Sequence, residues 1–321
     1  MRRLTNAHVD VRIQNVRALA TSALRAAEQA IRELEEDLPV DLLRSKLRPA
    51  TRLRTRSAAD ADIPLGASRI GGRPDLPPSF EWPRWDGFDE PDQVLSNGMR
   101  IPMGCKPKAL SFLAQVNLAE APDATGLLPE QGWLCFFYDA EGQPWGFDPR
   151  HRGGARVAYF ESERSSLIRT DAPAGAGVFA PMVTTPDVVA TLPAWSYQLG
   201  VELEPQARIR YQELIAAHFA GNEVEHRMLG WPKQIQEDME RECELVTNGI
   251  HCGDGPDAYE SAKAKQLEPN VKDWIMLLQV ETDEDGPGWM WGDTGCVYFW
   301  IRKQDLAARR FDRCWAVLQC T

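Results

Sequence analysis

An apolar pattern that occurs twice in this chain constrains its fold more than any other feature. In the first copy, the run 109–118 carries an internal Gln-Val pair, and a glycine-led aromatic run follows at 132–138. In the second copy, the run 274–281 carries the same pair, and a similar aromatic run follows at 295–301. Each run has the length and composition of a buried β-strand. A repeat at this long period predicts two related halves.

Composition limits the class of protein. The 321 residues are 43% hydrophobic, enough for one large or two ordinary domains with a packed core. No apolar run approaches the length of a membrane span, and the Met-Arg-Arg start is not followed by the apolar segment of a secretory signal. The seven cysteines are scattered and form no Cys-x-x-Cys. We therefore expect a cytoplasmic protein with no disulfide framework, no metal site and no cofactor.

The net charge of −11 is unevenly distributed. Residues 201–300 contain 8 basic and 20 acidic residues, a net charge of −12. A field of this sign repels nucleic acid and anionic lipid and attracts basic proteins. We therefore expect no direct contact with nucleic acid or a membrane. The alternative is that the acidity serves only solubility.

The order of the patterns predicts an α+β protein with a mainly antiparallel sheet and an N-terminal helical extension. Residues 5–47 have helical periodicity that Pro39 should end or kink, with a shorter helix at 40–47. This extension either packs on the body or mediates dimerisation. Prolines and glycines in 48–108 exclude long regular elements, so we expect this segment to wrap over the body through its aromatic residues. We divide the chain into an extension (1–60), a first half (61–190) and a second half (191–321).

Beyond residue 109, the patterns predict seven strands and two helices. The predicted strands are 110–118, 132–139, 156–161, 195–204, 274–282, 295–302 and 314–319. The predicted helices are 205–219 and 232–245.

Two motifs resemble catalytic arrangements but lack essential parts. His226 could form a proton-transfer pair with Asp238, although nothing in their spacing brings them together. The corresponding stretch of the first half, 68–77, has no histidine at that place, which favours a structural corner. The Gly-Asp-Thr-Gly around Asp293 resembles an aspartic-protease loop, but the other half supplies no second aspartate. We therefore predict no catalytic residues.

An acidic run beside two tryptophans is the best candidate for a binding site. Its spacing does not fit a calcium-binding loop. Acidic side chains around aromatic anchors are typical of protein interfaces. The predicted contact residues are Glu281, Asp283, Glu284, Asp285, Trp289 and Trp291, with Glu237, Asp238 and Glu240 as a second group.

Six motifs together resemble the YwqG-like family and keep its order over about residues 65–321. They are Gly-Gly-x-Pro (71–74), Leu-Ala-Gln-Val-Asn-Leu (113–118), Pro-Glu-x-Gly-x-Leu-x-Phe-Phe (129–137), His-x-x-Leu-Gly-x-Pro-x-x-x-Gln-x-Asp (226–238), Leu-Leu-Gln-Val (277–280) and Gly-Asp-Thr-Gly-x-x-x-Phe-x-Ile (292–301). The resemblance implies an α+β fold of two related halves. It implies no reaction, because this is a domain of unknown function. Members are found near polymorphic toxin genes, which implies an association with immunity.

The charge and the resemblance together predict a non-enzymatic immunity protein. It would bind and neutralise an antibacterial toxin, with a basic nuclease domain as the expected partner. The alternative is a small-molecule-binding protein or enzyme with a site between the halves near His226 and Asp293.

Overall fold

The computed structural model describes residues 6–33, 38–94, 99–101, 104–219, 224–253 and 255–321. The described helices are α1 (Asn6–Arg32), α2 (Val40–Lys46), α3 (Pro205–His218), α4 (Met239–Thr247), α5 (Asp257–Glu260), α6 (Ala262–Leu267) and α7 (Lys303–Ala307). The first eight strands are β1 (Arg48–Ser57), β2 (Arg69–Ile70), β3 (Asp75–Leu76), β4 (Arg84–Trp85), β5 (Gln93–Val94), β6 (Arg100–Ile101), β7 (Lys108–Ala109) and β8 (Ser111–Asn117). The remaining strands are β9 (Trp133–Tyr138), β10 (Ala155–Phe160), β11 (Ile168–Arg169), β12 (Met182–Thr191), β13 (His226–Met228), β14 (Trp274–Glu281), β15 (Cys296–Arg302) and β16 (Trp315–Gln319).

Ten strands form one antiparallel sheet, which confirms the predicted α+β class. Their order is β10-β9-β8-β2-β12-β1-β13-β14-β15-β16. On each side of the central pair β12–β1, the sheet continues outwards in the same order: a short strand, then a hairpin, then an edge strand. This correspondence supports the two related halves predicted from the repeat. The edge strands β10 and β16 lie close to each other, so the sheet nearly closes on itself.

Irregularities in the two hairpins also correspond. The register of β8 on β9 shifts at Leu113, and that of β14 on β15 shifts at Leu277. Each bulge comes two residues before a buried glutamine, Gln115 or Gln279. A bulge bends its strand and redirects the side chains beside it. The Gln-Val pairs of the repeat therefore occupy equivalent places in the two hairpins.

Both faces of the hairpins are buried, which explains their continuous apolar sequences. In β9, Leu134, Phe136 and Tyr138 join the central core, whereas Cys135 and Phe137 pack beneath the proline-rich segment. In β15, alternate residues divide in the same way between the central core and the layer formed with α4 and α6. Strands covered on both faces lose the polar-apolar alternation of a half-exposed sheet.

The central pair β1–β12 is absent from the predicted strands, and β1 contradicts the expectation that 48–108 lacks long regular elements. Its sequence alternates arginine with smaller residues, so apolar content gives no indication of a strand. The two strands pair over ten residues, and Asp187 bonds to Arg52 at 2.7 Å and Arg54 at 2.9 Å. These cross-strand ion pairs neutralise arginine charges whose partners cannot be identified from the sequence alone.

The N-terminal extension packs on the body, the first of its two predicted roles. Helix α1 ends before Pro39, and α2 follows it. Ile31 and Leu43 are fully buried against Tyr211 and Leu214 of α3. Residues 5 and 34–37 of the predicted helix lie outside the described residues.

Two of the predicted elements are wrong, whereas the predicted helix 205–219 and the other six predicted strands are present and the expected course of the proline-rich segment is confirmed. Residues 195–204 form a 3₁₀ turn, Ser196–Leu199, which ends at Gly200 with φ of 80°. The second predicted helix begins only at Met239, because residues 232–238 bond to neighbouring strands instead. The proline-rich segment does wrap over the body, where Trp82 donates a hydrogen bond to Leu110 O at 2.8 Å.

A loop after β9 covers the edge of β16. Leu318 N donates to Trp145 O at 2.9 Å, and the indole of Trp315 donates to Gly146 O at 2.9 Å. Gly146 N donates in turn to Nδ1 of His151 at 3.1 Å. This bond requires Nδ1 of His151 to carry no proton, and burial lowers the pKa of this histidine from 6.5 to about 4.

We predict that His151 makes the fold acid-sensitive. The unfolded chain binds a proton here near pH 6.5, whereas the folded protein does so only near pH 4. The contribution of neutral His151 to the free energy of unfolding is therefore fully present above pH 6.5 and is lost progressively as the pH falls toward 4. His151→Gln keeps an acceptor without titrating, so its free energy of unfolding should fall less over this range. Urea denaturation at several pH values checks this, with the exposed His218→Gln as control. A slope equal to that of the parent in His151→Gln would contradict the assignment.

Candidate functional site

Two corners of the sheet have the same hydrogen-bond framework. Residues 68–75 form the first and residues 226–233 the second. Gln115 Oε1 accepts from Asp75 N at 2.8 Å, and Gln279 Oε1 accepts from Lys233 N at 3.0 Å. The other end of each amide donates to a backbone carbonyl. Both glutamines of the repeat are therefore structural residues that hold these corners.

The charges in the two corners differ. Asp75 in the first corner is replaced by Lys233 in the second. Arg69 is fully buried and bonds to Asp60 at 2.9 Å and Asp75 at 3.3 Å. In the second corner, Arg227 bonds to Glu225 at 3.0 Å instead. Each arginine also donates to the carbonyl four residues ahead, which shapes the glycine turn.

Ser68 and His226 occupy equivalent places and make equivalent bonds. Asn117 N donates to Ser68 Oγ at 2.9 Å, and Glu281 N donates to His226 Nδ1 at 3.2 Å. The histidine replaces a serine as an acceptor for the backbone of the neighbouring strand. This supports the structural interpretation of the corner.

The partner of His226 is Asp283, not the Asp238 considered from the sequence. His226 Nε2 lies 3.5 Å from Asp283 Oδ2, and this contact lowers the pKa of the carboxyl. His226 is 1% exposed and Asp283 is 7% exposed. Both side chains of this pair are closed to solvent, which gives no support to a catalytic role for His226, whereas Asp293 is exposed. Asp238 instead accepts a hydrogen bond from Tyr197 at 3.3 Å.

The predicted tryptophan anchors are wrong. Trp289 is 2% and Trp291 is 1% exposed, and both belong to the central core. Trp291 packs edge-on against Tyr138 with ring centroids 5.7 Å apart. Met290 between them points outward and is 42% exposed. In an extended segment, successive side chains point to opposite faces, so Met290 points outward while its two neighbours point inward. The amino-acid composition does not reveal which of these residues face the core.

The predicted acidic contacts divide into exposed and structural residues. Glu284 and Asp285 are exposed. Asp283 is buried and accepts a hydrogen bond from Gly286 N at 2.9 Å, so it holds the turn and is not available as a contact. Glu281 is half-buried and lies 3.3 Å from Lys233 Nζ, which offsets its charge.

The second acidic group also divides. Glu237 and Asp238 are exposed just before α4. Burial raises the pKa of Glu240 to about 7, so its carboxyl gives up its negative charge more readily than an exposed glutamate does. Glu240 is therefore a weak source of negative potential.

The loop that carries Glu284 and Asp285 is held from the first half. The side chain of Gln143 donates to Met290 O at 2.9 Å and accepts from Gly292 N at 2.8 Å. Ala180 N donates to Pro287 O at 2.9 Å. We call the exposed residues of this end of the sheet the acidic rim: Glu237, Asp238, Glu284, Asp285, Met290 and Asp293. Because the loop is fixed at both ends, a partner would meet side chains already in position.

No group of three or more metal-ligating side chains is present in the part of the chain that the structure describes. The seven cysteines are free thiols. Among the described residues, no helix is both long enough and apolar enough to cross a membrane.

Comparison with known proteins gives a family. A family described as a domain of unknown function (DUF1963) matches residues 68–320, which include both corners and the acidic rim. The chain belongs to this family. No curated protein matches it. The DUF1963 region includes nine of the ten strands of the large sheet, whereas central strand β1 lies before it.

Proposed function

We propose that this DUF1963 protein is a cytosolic immunity protein that binds and neutralises an antibacterial toxin. The YwqG-like resemblance and its association with toxin genes support this proposal. So does the net charge of −11, because toxin domains that bind nucleic acid are basic. The partner that we expect is a basic nuclease domain.

The observation that carries the proposal is a fixed loop with outward carboxylates. Glu284 and Asp285 make no ion pair with any residue that the structure describes. Exposed, unpaired charges on a rigid loop speed the encounter with an oppositely charged protein. Met290 supplies exposed apolar surface beside them in place of the buried tryptophans.

The experiment uses the C-terminal domain of the protein encoded by the adjacent upstream gene. We expect this domain to co-purify with the chain and to lose its toxicity when both are expressed. A neighbouring product that the chain neither binds nor inhibits would contradict the proposal.

We predict that the double variant Glu284→Lys and Asp285→Lys slows association with this domain by about 10-fold or more at low salt. Its association rate should also depend less on salt, because screening acts on the attraction that the variant removes. Asp283 is left unchanged, since its loss would disturb the loop. Stopped-flow association kinetics at several salt concentrations measure the effect.

The matched control is Glu163→Lys with Glu202→Lys. These two exposed carboxylates lie outside the acidic rim, and their replacement gives the same change in net charge. Equal slowing in both double variants would assign the attraction to total charge and remove the acidic rim from the proposal.

A further inference from the structure

The two edge strands of the sheet, β10 and β16, approach each other along a line that we call the seam. The seam contains a groove that the proposed function does not use. It lies between β10 and residues 309–316, where the two edge strands approach without pairing. A cavity of about 630 Å³ and a smaller one of about 170 Å³ form it, and both are lined by Gly153, Arg156 and Asp312. The larger cavity has the volume typical of small-ligand sites.

The groove is rich in arginine, against the acidic character of the protein. Arg84, Arg152 and Arg156 line it, are exposed, and form no ion pair with any described residue. The carboxylate of Asp312 is bonded by Arg310 at 3.1 Å and is also close enough to feel the charge of Arg156, and Glu81 is the other acidic lining residue. The guanidinium fork matches phosphate oxygens in geometry as well as charge.

The walls of the groove are aromatic. Trp82 and Tyr159 line the larger cavity and Trp315 the smaller one. The indole of Trp82 is fixed by its bond to Leu110 O, and Tyr159 packs against Phe311 with centroids 5.3 Å apart. Rings held in this way can stack on a planar ligand at little entropic cost.

The position of the arginines is set by the backbone. Gly153 separates Arg152 from the strand that carries Arg156, and its φ of 96° favours glycine. A Cβ here would meet the Trp85 ring at 2.8 Å. The close approach to Trp85 therefore fixes the turn that brings both arginines to the groove.

We propose that this groove binds a small phosphorylated molecule with a planar ring, of the nucleotide class. Arg84 and Arg156 hold the phosphates, and Trp82 or Tyr159 stacks on the ring. Arg152, whose guanidinium lies 5.4 Å from the centre of the Trp315 ring, extends the positive surface into the smaller cavity.

The test is calorimetric titration of the full chain with ADP. We expect binding that Arg84→Gln and Arg156→Gln each weaken by about 10-fold or more, as for a lost hydrogen bond to a charged group. The matched control is Arg56→Gln, an exposed arginine on central strand β1, on the opposite side of the sheet order from the seam. No binding at millimolar ADP, or equal weakening by all three variants, would overturn the proposal.

Two further probes separate the parts of the ligand. Adenosine should bind at least about 10-fold more weakly than ADP, since it lacks the groups that the arginines hold. Inorganic pyrophosphate should also bind more weakly, since it lacks the ring. Adenosine binding as tightly as ADP would overturn the role of the arginines, and pyrophosphate binding as tightly would overturn the role of the rings. The double variant Glu284→Lys and Asp285→Lys should leave ADP binding unchanged. A failure of ADP binding would therefore not count against the immunity function, and a failure of toxin binding would not count against the nucleotide site.

Discussion

Replacing Asp75 by alanine should lower the free energy of unfolding by about 3–5 kcal/mol, the usual cost of removing one partner from a buried ion pair. Asp75 is fully buried and accepts hydrogen bonds from Gly66 N at 2.7 Å and from Arg169 Nε at 2.9 Å. It also lies 3.3 Å from Arg69, which is itself fully buried. The variant would leave both arginines with less compensation, and the guanidinium of Arg69 has no access to water. Urea denaturation followed by tryptophan fluorescence measures the change.

The matched control for Asp75 is Asp171→Ala. Asp171 also bonds to an arginine, Arg73, at 3.1 Å, but its side chain is 82% exposed. Exposed pairs contribute about 1 kcal/mol or less, so this variant should change stability little. Similar losses for the two variants would show that the buried network is no more important than a surface pair.

Trp291→Ala should destabilise the protein by about 3–5 kcal/mol, the usual range for truncating a buried tryptophan. Its ring lies in the central core against Tyr138 and close to Phe179, so alanine would leave a cavity between the two halves. Trp291→Phe keeps an aromatic ring and should cost less. The midpoint and slope of urea denaturation give the measurement.

The neighbouring Met290→Ala is the control for Trp291. Met290 is exposed, so its truncation should change the free energy of unfolding by about 0.5 kcal/mol or less. It should instead weaken toxin binding if the acidic rim is the interface. Equal destabilisation by the two variants would contradict the inward placement of Trp291, and intact stability in Trp291→Ala would restore the ring as a candidate contact.

The hairpins could be predicted from the sequence because their patterns are local. Strands β8, β9, β14 and β15 agree with the predicted ranges within one or two residues. A strand buried on both faces needs apolar residues at nearly every position, and few other structures produce such short apolar runs. The repeat was visible for the same reason.

The central strands and the site could not be predicted in this way. Strand β1 is stabilised by pairing with β12 and by the ion pairs of Asp187, which join residues more than 130 positions apart. The partner of His226 was equally hidden, because Asp283 lies 57 positions further along the chain. Distant pairings are decided by the whole fold and leave no local pattern.

The groove at the seam shows the same limit. Arg84 and Arg156 belong to separate segments of the first half, whereas Phe311 and Trp315 come from the end of the second. Nothing in their spacing joins them. They meet because the sheet nearly closes and brings its two edges together.

The sequence by itself determined the α+β class, the two apolar hairpins, the glycine corners and the overall negative charge. Each of these follows from the identity of neighbouring residues, through side-chain alternation, backbone freedom or the sum of charges. The tertiary structure alone decided which carboxylates remain exposed, that Trp289 and Trp291 face inward, and which residues meet at the seam. The physical reason is that burial and pairing depend on surfaces contributed by distant parts of the chain.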